Sequence, residues 1–125
     1  MVVERGLPPG QREVRKWPRL DLGIVPRFDL QAWDLRIDGA VDKPLRFTYS
    51  EFLTLPTTKT MSPFHCVTGW TTFDNEWAGV TIKELAEQTQ IQRTAGFATF
   101  RCGDGYTTSH PLNVLYDSDV LLVHQ

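Results

Sequence analysis

Short strand patterns that alternate with short capped helices constrain the fold of this 125-residue chain more than any other feature. Residues 33–38 alternate apolar and charged side chains, which is typical of a strand with one buried face, and Trp33, Leu35 and Ile37 then point inward. Residues 45–47 follow a turn and predict the second strand of a hairpin. Because the order of elements is irregular and is not a strict βαβ alternation, we predict one α+β domain with an irregular mixed sheet and short helices.

Two capping boxes predict where the helices begin. Thr48 and Glu51 are spaced so that each side chain can bond the other residue's backbone N–H, and Pro56 ends this first helix. Thr81 and Glu84 repeat the spacing ahead of a second helix whose apolar residues share one face. Both signals therefore predict short helices that begin at a threonine cap.

The last third of the chain predicts a strand, a further helix and a buried strand. Residues 96–101 are expected to form a strand, with Phe97 and Phe100 both in the core. Ser109 precedes a His-Pro pair and is expected to cap a helix. The uninterrupted apolar run of residues 120–123 is typical of a fully buried strand. Because the chain ends two residues after this run, we expect the C-terminal part of the domain to be missing.

The first 30 residues are rich in proline, glycine and arginine, and prolines interrupt both helices and strand ladders. We expect an N-terminal arm over residues 1–30 that wraps a domain over residues 31–125. Large apolar side chains favour wrapping, because free tails rarely carry so many of them. These side chains are Trp17, Leu20, Leu22, Ile24 and Phe28.

Net charge and cysteine content exclude several classes of protein. The formal net charge is −2, which favours neither nucleic acid nor anionic lipid as a partner, and no apolar stretch is long enough to span a membrane. No secretory leader pattern is visible, so we expect a cytoplasmic location. The two cysteines, Cys66 and Cys102, are too few for a disulfide-built fold and lack the spacing of a structural zinc site. We find no internal repeat.

Cys66 lies in the most unusual local sequence of the chain, Phe-His-Cys-Val-Thr-Gly-Trp over residues 64–70. The glycine permits unusual backbone angles, and the tryptophan is suited to fix the loop against the core. An ordinary buried cysteine is one alternative. A cysteine–histidine nucleophile is another: His65 is disfavoured as its partner, because neighbouring strand residues point to opposite faces, whereas His110 could approach in space.

The chain resembles the sulfite-oxidase-like, molybdopterin-binding oxidoreductases over nearly its whole length, from Leu-Pro-Pro-Gly-Gln at residues 7–11 onward. The specific parts are the Cys66 run and Asp-Gly-Tyr-Thr-Thr at residues 104–108, with Trp-Ala-Gly-Val at residues 77–80 between them. The resemblance is to the bacterial branch related to the catalytic subunit of a methionine-sulfoxide reductase. It implies a sulfite-oxidase-type molybdopterin-binding fold and a molybdenum–molybdopterin cofactor. It also implies that Cys66 is the one protein ligand to molybdenum, for which a thiolate is a natural soft donor.

The resemblance further implies which residues contact the cofactor. Family members hold the pterin with a hydroxyl residue at the position that Cys102 occupies here, and a thiol is a poorer donor than a hydroxyl. His65 resembles a basic or aromatic residue that precedes the ligand cysteine, where it is expected to donate to the pterin. The expected cofactor contacts are His65, Cys102, Asp104, Tyr106, Thr107 and Thr108.

The activity that the resemblance implies is oxygen-atom transfer to or from a small substrate that is sulfoxide-like or sulfite-like. Sulfite oxidases proper carry arginines after the ligand cysteine, whereas residues 67–72 carry no cation. A neutral sulfoxide therefore fits better, with Trp70 and Trp77 as candidates for an apolar wall. No haem motif is present, so electrons are expected to come from an external partner. The alternative is a non-catalytic, cofactor-free fragment or binding module of the same fold.

Overall fold

The computed structural model describes residues 6–19, 23 and 27–125. Leu20, Leu22 and Ile24, three of the side chains that predict a wrapping arm, lie outside the described residues. The other two, Trp17 and Phe28, are 47% and 62% exposed. The division of the chain into an arm and a domain stays a prediction.

Strands outnumber helices in the described residues, and the helices are short. Along the chain the elements are β1 (Arg12–Glu13), β2 (Asp34–Ile37), β3 (Leu45–Thr48), α1 (Tyr49–Thr54), β4 (Thr58–His65), β5 (Trp70–Thr81), α2 (Ile82–Thr89), β6 (Phe97–Arg101), β7 (Thr107–Pro111), α3 (Leu112–Leu115) and β8 (Leu121–Val123). This mixture of sheets and short helices confirms the predicted α+β class. None of the described helices has the length and apolar character that a membrane crossing needs.

The longest strand, β5, organises the main sheet. β4 pairs with it in antiparallel register, while β1 pairs in parallel with its beginning and β8 pairs in antiparallel register with its end. β8 approaches β5 so closely at Gly79 that a Cβ atom there would overlap the carbonyl group of Leu122. Only glycine fits this crossing. Two hairpins, β2–β3 and β6–β7, form separate two-stranded sheets.

Two apolar clusters form the core of the described residues. The buried members of the first are Phe47, Phe52, Val80 and Leu85. Trp33, Leu35 and Ile37 pack against this cluster, which confirms the predicted inward face of β2. The buried members of the second are Ile82, Leu112 and Leu115, against which the β6–β7 hairpin packs. Full burial of one such large apolar side chain contributes about 1.5–3 kcal/mol.

The first two helices begin at the predicted threonine caps. At α1, Glu51 N–H donates to Thr48 Oγ1 and Thr48 N–H donates to Glu51 Oε1, each at 3.2 Å, which is a complete capping box. At α2, Glu84 N–H donates to Thr81 Oγ1 at 3.1 Å. The Glu84 carboxylate accepts instead from Gln88 Nε2 at 3.0 Å. The caps are local features, which is why the sequence alone could locate them.

The β6–β7 hairpin departs from the sequence prediction in two places. Phe97 is 70% exposed, whereas Phe100 packs against the second cluster. Alternate strand residues face opposite sides, so residues three apart cannot both point inward, and the prediction of a core position was wrong for Phe97. Ser109 lies within β7 beside Thr99 instead of capping a helix, and α3 begins after Pro111 without a side-chain cap.

The apolar run near the end of the chain forms β8, but this strand is half-buried where the sequence predicted full burial. Leu121 and Leu122 are half-buried, and Val123 is 48% exposed. Among the described strands, β8 pairs with β5 alone. Full burial of a strand requires neighbours on both sides, and an apolar run does not identify those neighbours.

Candidate functional site

Cys66 opens the tight turn between β4 and β5. Its backbone N–H donates to the carbonyl oxygen of Trp70 at 2.9 Å, and Gly69 N–H donates to the carbonyl oxygen of Cys66 at 3.0 Å. Gly69 has φ +93°, a backbone conformation that favours glycine. The glycine that the sequence suggested for unusual backbone angles therefore has that role, and the turn holds the thiol at the end of a hairpin.

The Cys66 thiol is half-buried and accepts a hydrogen bond within the turn. Thr68 Oγ1 donates to Cys66 Sγ at 3.2 Å. This hydroxyl, followed by the backbone of Thr68 and the backbone of Val67, lowers the pKa of the Cys66 thiol below its usual value. The thiolate is the form that binds metals, so the turn favours the form a metal ligand needs.

His65 is the last residue of β4. Its side chain is exposed and is not hydrogen-bonded to Cys66. Its Nδ1 lies 2.9 Å from Thr71 Oγ1 on the facing strand. His110 Nε2 lies 3.1 Å from Thr108 Oγ1 in β7. Within the described part of the chain neither imidazole is hydrogen-bonded to Cys66, so these contacts do not form the cysteine–histidine pair that the sequence left open.

The N-terminal segment lies directly against the Cys66 turn. Arg12 N–H donates to the carbonyl oxygen of Gly69 at 2.9 Å, and Gln11 Nε2 donates to the carbonyl oxygen of Cys66 at 3.0 Å. Neither Gln11 nor Arg12 is among the site residues predicted from the sequence. A two-residue strand carries no periodic signal, and the contact joins residues 55 apart in the chain, so no local pattern could have revealed it.

An aromatic cluster lies beside the turn, with Trp17 in contact with three other rings. Its ring centroid lies 4.7 Å from that of Phe64, 5.4 Å from that of Trp70 and 6.0 Å from that of Trp77. Trp70 is only 4% exposed, and its Nε1–H has no acceptor among the described residues. A buried donor without a partner costs about 1–3 kcal/mol, so this N–H favours a site where a water or a bound group accepts its hydrogen.

Five of the predicted cofactor contacts lie at the end of another hairpin, in the turn between β6 and β7 and in the first two residues of β7. All five are exposed: Cys102, Asp104, Tyr106, Thr107 and Thr108. Their bonds are local; Tyr106 N–H, for example, donates to Asp104 Oδ1 at 3.0 Å. No hydrogen bond or ring contact between described residues joins them to Cys66 or His65. The structure therefore divides the predicted site residues into two groups.

The two turns share a sequence pattern that the sequence analysis missed. Cys-x-x-Gly-aromatic-Thr-Thr occurs at residues 66–72 and again at residues 102–108. The backbone bonds repeat as well: Cys102 N–H donates to Tyr106 O at 2.8 Å and Gly105 N–H donates to Cys102 O at 2.9 Å, with Gly105 at φ +89°. The pattern is far shorter than a fold-building repeat, but an alignment of the sequences around the two cysteines could have revealed it.

The residues around Cys66 fit a cofactor that brings most of its own metal ligands. In the described ranges no cluster of three or more histidine, cysteine, aspartate or glutamate side chains forms a metal-binding group. A half-buried thiol of lowered pKa offers one soft anionic ligand, and Trp70 Nε1–H offers an unused donor in the residue that follows the turn. This set of groups suits a molybdenum ion that a pterin already holds through its sulfurs.

Comparison with known proteins agrees with this chemistry. The family described as the oxidoreductase molybdopterin binding domain matches residues 22–125. The chain is 32% identical over 119 residues to the uncharacterized oxidoreductase YuiH of Bacillus subtilis, which covers 94% of this chain and 60% of that protein. It is 27% identical over 82 residues to the protein-methionine-sulfoxide reductase catalytic subunit MsrP of Campylobacter jejuni, which covers 66% of this chain and 27% of that protein.

A solved structure has the same fold. The sulfane dehydrogenase SoxCD from Paracoccus pantotrophus superimposes with a TM-score of 0.66 at 23% identity, covering 78% of this chain and 30% of that chain. At this identity the likeness concerns the fold alone. The chain spans about 60% of the length of YuiH and about a quarter of the length of MsrP.

Proposed function

The chain belongs to the oxidoreductase molybdopterin-binding domain family, and on that premise we propose that it binds a molybdenum–molybdopterin cofactor through Cys66 and takes part in oxygen-atom transfer. The observation that carries the proposal is the half-buried Cys66 thiol, which a glycine turn and the Thr68 hydroxyl hold in a form suited to a metal ligand. The bound cofactor would supply the two-electron redox chemistry, as is general for cofactor enzymes.

The roles of the protein residues follow from their positions. Cys66 holds the metal, and His65 contacts the pterin or the substrate from the end of β4. The second turn supplies the remaining cofactor contacts, namely Cys102, Asp104, Tyr106, Thr107 and Thr108. The exposure of these five residues supports such a role, because their polar groups lie on the surface, where a cofactor can reach them.

The proposed substrate is a small sulfur compound, with a neutral sulfoxide ahead of sulfite. Residues 67–72 carry no charge, and the aromatic cluster offers an apolar wall beside the turn. The name of the relative MsrP, a methionine-sulfoxide reductase subunit, supports the same class. Arg12 favours testing sulfite as well, because its backbone N–H donates to Gly69 of the turn and its side chain is a cation.

Sulfoxide reduction consumes two electrons and two protons, so the proposal includes an external electron-transfer partner. We propose that the protein binds a small-molecule substrate and such an electron-transfer partner, and that it does not bind nucleic acid. The cytoplasmic location also stays a proposal, and fractionation of cells that express the full-length protein tests it.

The proposal is tested by expressing the protein in a host that makes the cofactor and measuring the molybdenum content of the purified protein by elemental analysis. We expect stoichiometric molybdenum, and reduction of methionine sulfoxide or oxidation of sulfite with an artificial electron carrier. Cys66→Ser should abolish the activity, whereas Val67→Ser places the same side chain at a 99% exposed position of the same turn and should not. Unchanged thermal midpoints show that both variants fold. A full-length protein without molybdenum would instead support the non-catalytic binding module.

A further inference from the structure

A buried hydroxyl links the N-terminal segment to the end of β4. Thr71 is 0% exposed, and its Oγ1 has two side-chain partners: Gln11 Oε1 and His65 Nδ1, each at 2.9 Å. Gln11 also donates through Nε2 to the carbonyl oxygen of Cys66 at 3.0 Å. Four groups thus form one chain of hydrogen bonds, from the Cys66 backbone through Gln11 and Thr71 to the His65 ring.

Donor and acceptor chemistry determines where each proton of this chain lies. A carbonyl oxygen only accepts, so the amide nitrogen of Gln11 must face Cys66, and its Oε1 must face Thr71. Gln11 Oε1 also only accepts, so the single hydroxyl proton of Thr71 points to Gln11. The oxygen of Thr71 is then an acceptor toward His65, and Nδ1 of that ring must carry a proton.

We propose that Gln11 and Thr71 are positioning residues that hold the neutral His65 ring with its proton on Nδ1, so that Nε2 presents a lone pair beside the Cys66 turn. His65 is exposed, and its Nε2 has no hydrogen-bond partner among the described residues. The group that meets Nε2 must therefore be a donor, an N–H or O–H, which reverses the expectation from the sequence that His65 donates to the pterin. That this group belongs to the cofactor or the substrate rests on the proposed function.

The second turn shows that the arrangement does not follow from the local sequence. Arg101 stands where His65 does, and Thr107 stands where Thr71 does, one position before and five positions after the respective cysteine. Thr107 is exposed and has no described side-chain partner, whereas Thr71 is fully buried. The pairing of β1 with β5, which brings Gln11 to Thr71, supplies the difference.

Nitrogen-15 NMR on the cofactor-free 125-residue chain at alkaline pH, where histidine rings are neutral, measures the tautomer directly. His65→Asn assigns the ring signals. We expect the Nδ1–H form of His65 in a roughly five- to tenfold excess, as one net hydrogen bond would supply. Nε2–H as the main form, or an equal mixture, would overturn the proposal.

Two variants separate positioning from general structure. Thr71→Val keeps the shape but removes the acceptor, and Gln11→Leu frees the hydroxyl proton of Thr71 to point at Nδ1, so each should remove the excess of the Nδ1–H form. Thr99→Val on β6 is the control and should leave the His65 signals in place. If Thr71→Val fails to fold, Gln11→Leu still decides, because Gln11 lies on the short N-terminal segment. A tautomer that persists in Gln11→Leu contradicts the proposal.

The tautomer of His65 is measured without molybdenum, so this test can succeed or fail independently of the test of the proposed function. If the tautomer is as proposed and the protein lacks molybdenum after expression in a host that makes the cofactor, the proposed function fails and this inference stands. If molybdenum is bound and the ring carries its proton on Nε2, the inference alone fails.

Discussion

The two turns have the same sequence pattern and the same backbone hydrogen bonds, yet only the first is followed by a buried aromatic residue and a buried threonine. In the first turn, Trp70 is 4% exposed and Thr71 is 0% exposed; in the second turn, Tyr106 is 71% exposed and Thr107 is exposed as well. The first turn contacts β1 and the aromatic cluster, whereas the second ends a two-stranded sheet. The local sequence therefore specifies the turn, and the packing behind it specifies the environment of the cysteine.

The largest difference between the turns should appear in cofactor loading. Cys66→Ser removes the thiolate ligand, so we expect the affinity for molybdenum to fall by more than ~100-fold and the purified variant to contain little of the metal. Cys102→Ser installs a better hydrogen-bond donor and should strengthen cofactor retention. Elemental analysis of both variants checks this. An equal loss in the two variants would mean that the packing behind Cys66 gives it no special role.

The second-largest difference should appear in stability, between variants of the equivalent threonines Thr71 and Thr107. Thr71→Val removes a fully buried hydroxyl that is the partner of Gln11 Oε1 and His65 Nδ1, and we expect a loss of about 1–3 kcal/mol in the free energy of unfolding. Thr107→Val changes an exposed strand residue and should stay within about 0.5 kcal/mol of the parent chain. Urea denaturation measures both. Similar values for the two variants would show that the buried hydroxyl contributes little.

The two turn glycines should behave alike in stability. Gly69 and Gly105 both have positive φ, +93° and +89°, and a Cβ atom would meet only an ordinary contact at Gly69 and none at Gly105. We therefore expect Gly69→Ala and Gly105→Ala to cost about 1–2 kcal/mol each, from backbone strain. Thermal or urea unfolding compares them. A much larger cost at Gly69 would indicate that the packing constrains the backbone of the turn as well as its side chains.

The smallest expected effect concerns the Cys66 thiol itself. Thr68→Val removes the hydroxyl that does most to lower the pKa of Cys66, so that pKa should rise toward its ordinary value. Because the thiolate is the reactive form, the pH profile of alkylation in the cofactor-free chain should shift to higher pH, with a lower rate at neutral pH. The measurement uses a Cys102→Ser background so that only one thiol reacts. An unchanged profile would assign the lowered pKa to the backbone of the turn instead.

Local features of the fold were predictable from the sequence. The Thr48–Glu51 capping box and the glycine turn at Gly69 involve residues within four positions of each other, so their geometry is encoded where they stand. The prediction failed for Phe97 because the alternation of strand faces was not applied to both phenylalanines of β6. It failed for Ser109 because a strand pairing with β6 prevailed over a helix cap.

The candidate site was predictable only in part. Cys66 stands in a distinctive sequence, and the family match agrees with the resemblance drawn from it. Gln11 could not be identified, because its contacts join residues 55 and 60 apart and depend on the pairing of β1 with β5. The roles of Cys66, His65 and the residues of the second turn stay predictions that the experiments above test.

The sequence by itself determined the family, the α+β class, the threonine caps of α1 and α2, and the glycine turn at Cys66. The caps and the turn depend on residues that are neighbours in the chain. Only the tertiary structure decided which of the two turns is followed by buried side chains. The reason is physical: the two turns form the same backbone bonds, but burial of Trp70 and Thr71 requires Trp17 and Gln11 from a distant segment, and such long-range packing has no local signature.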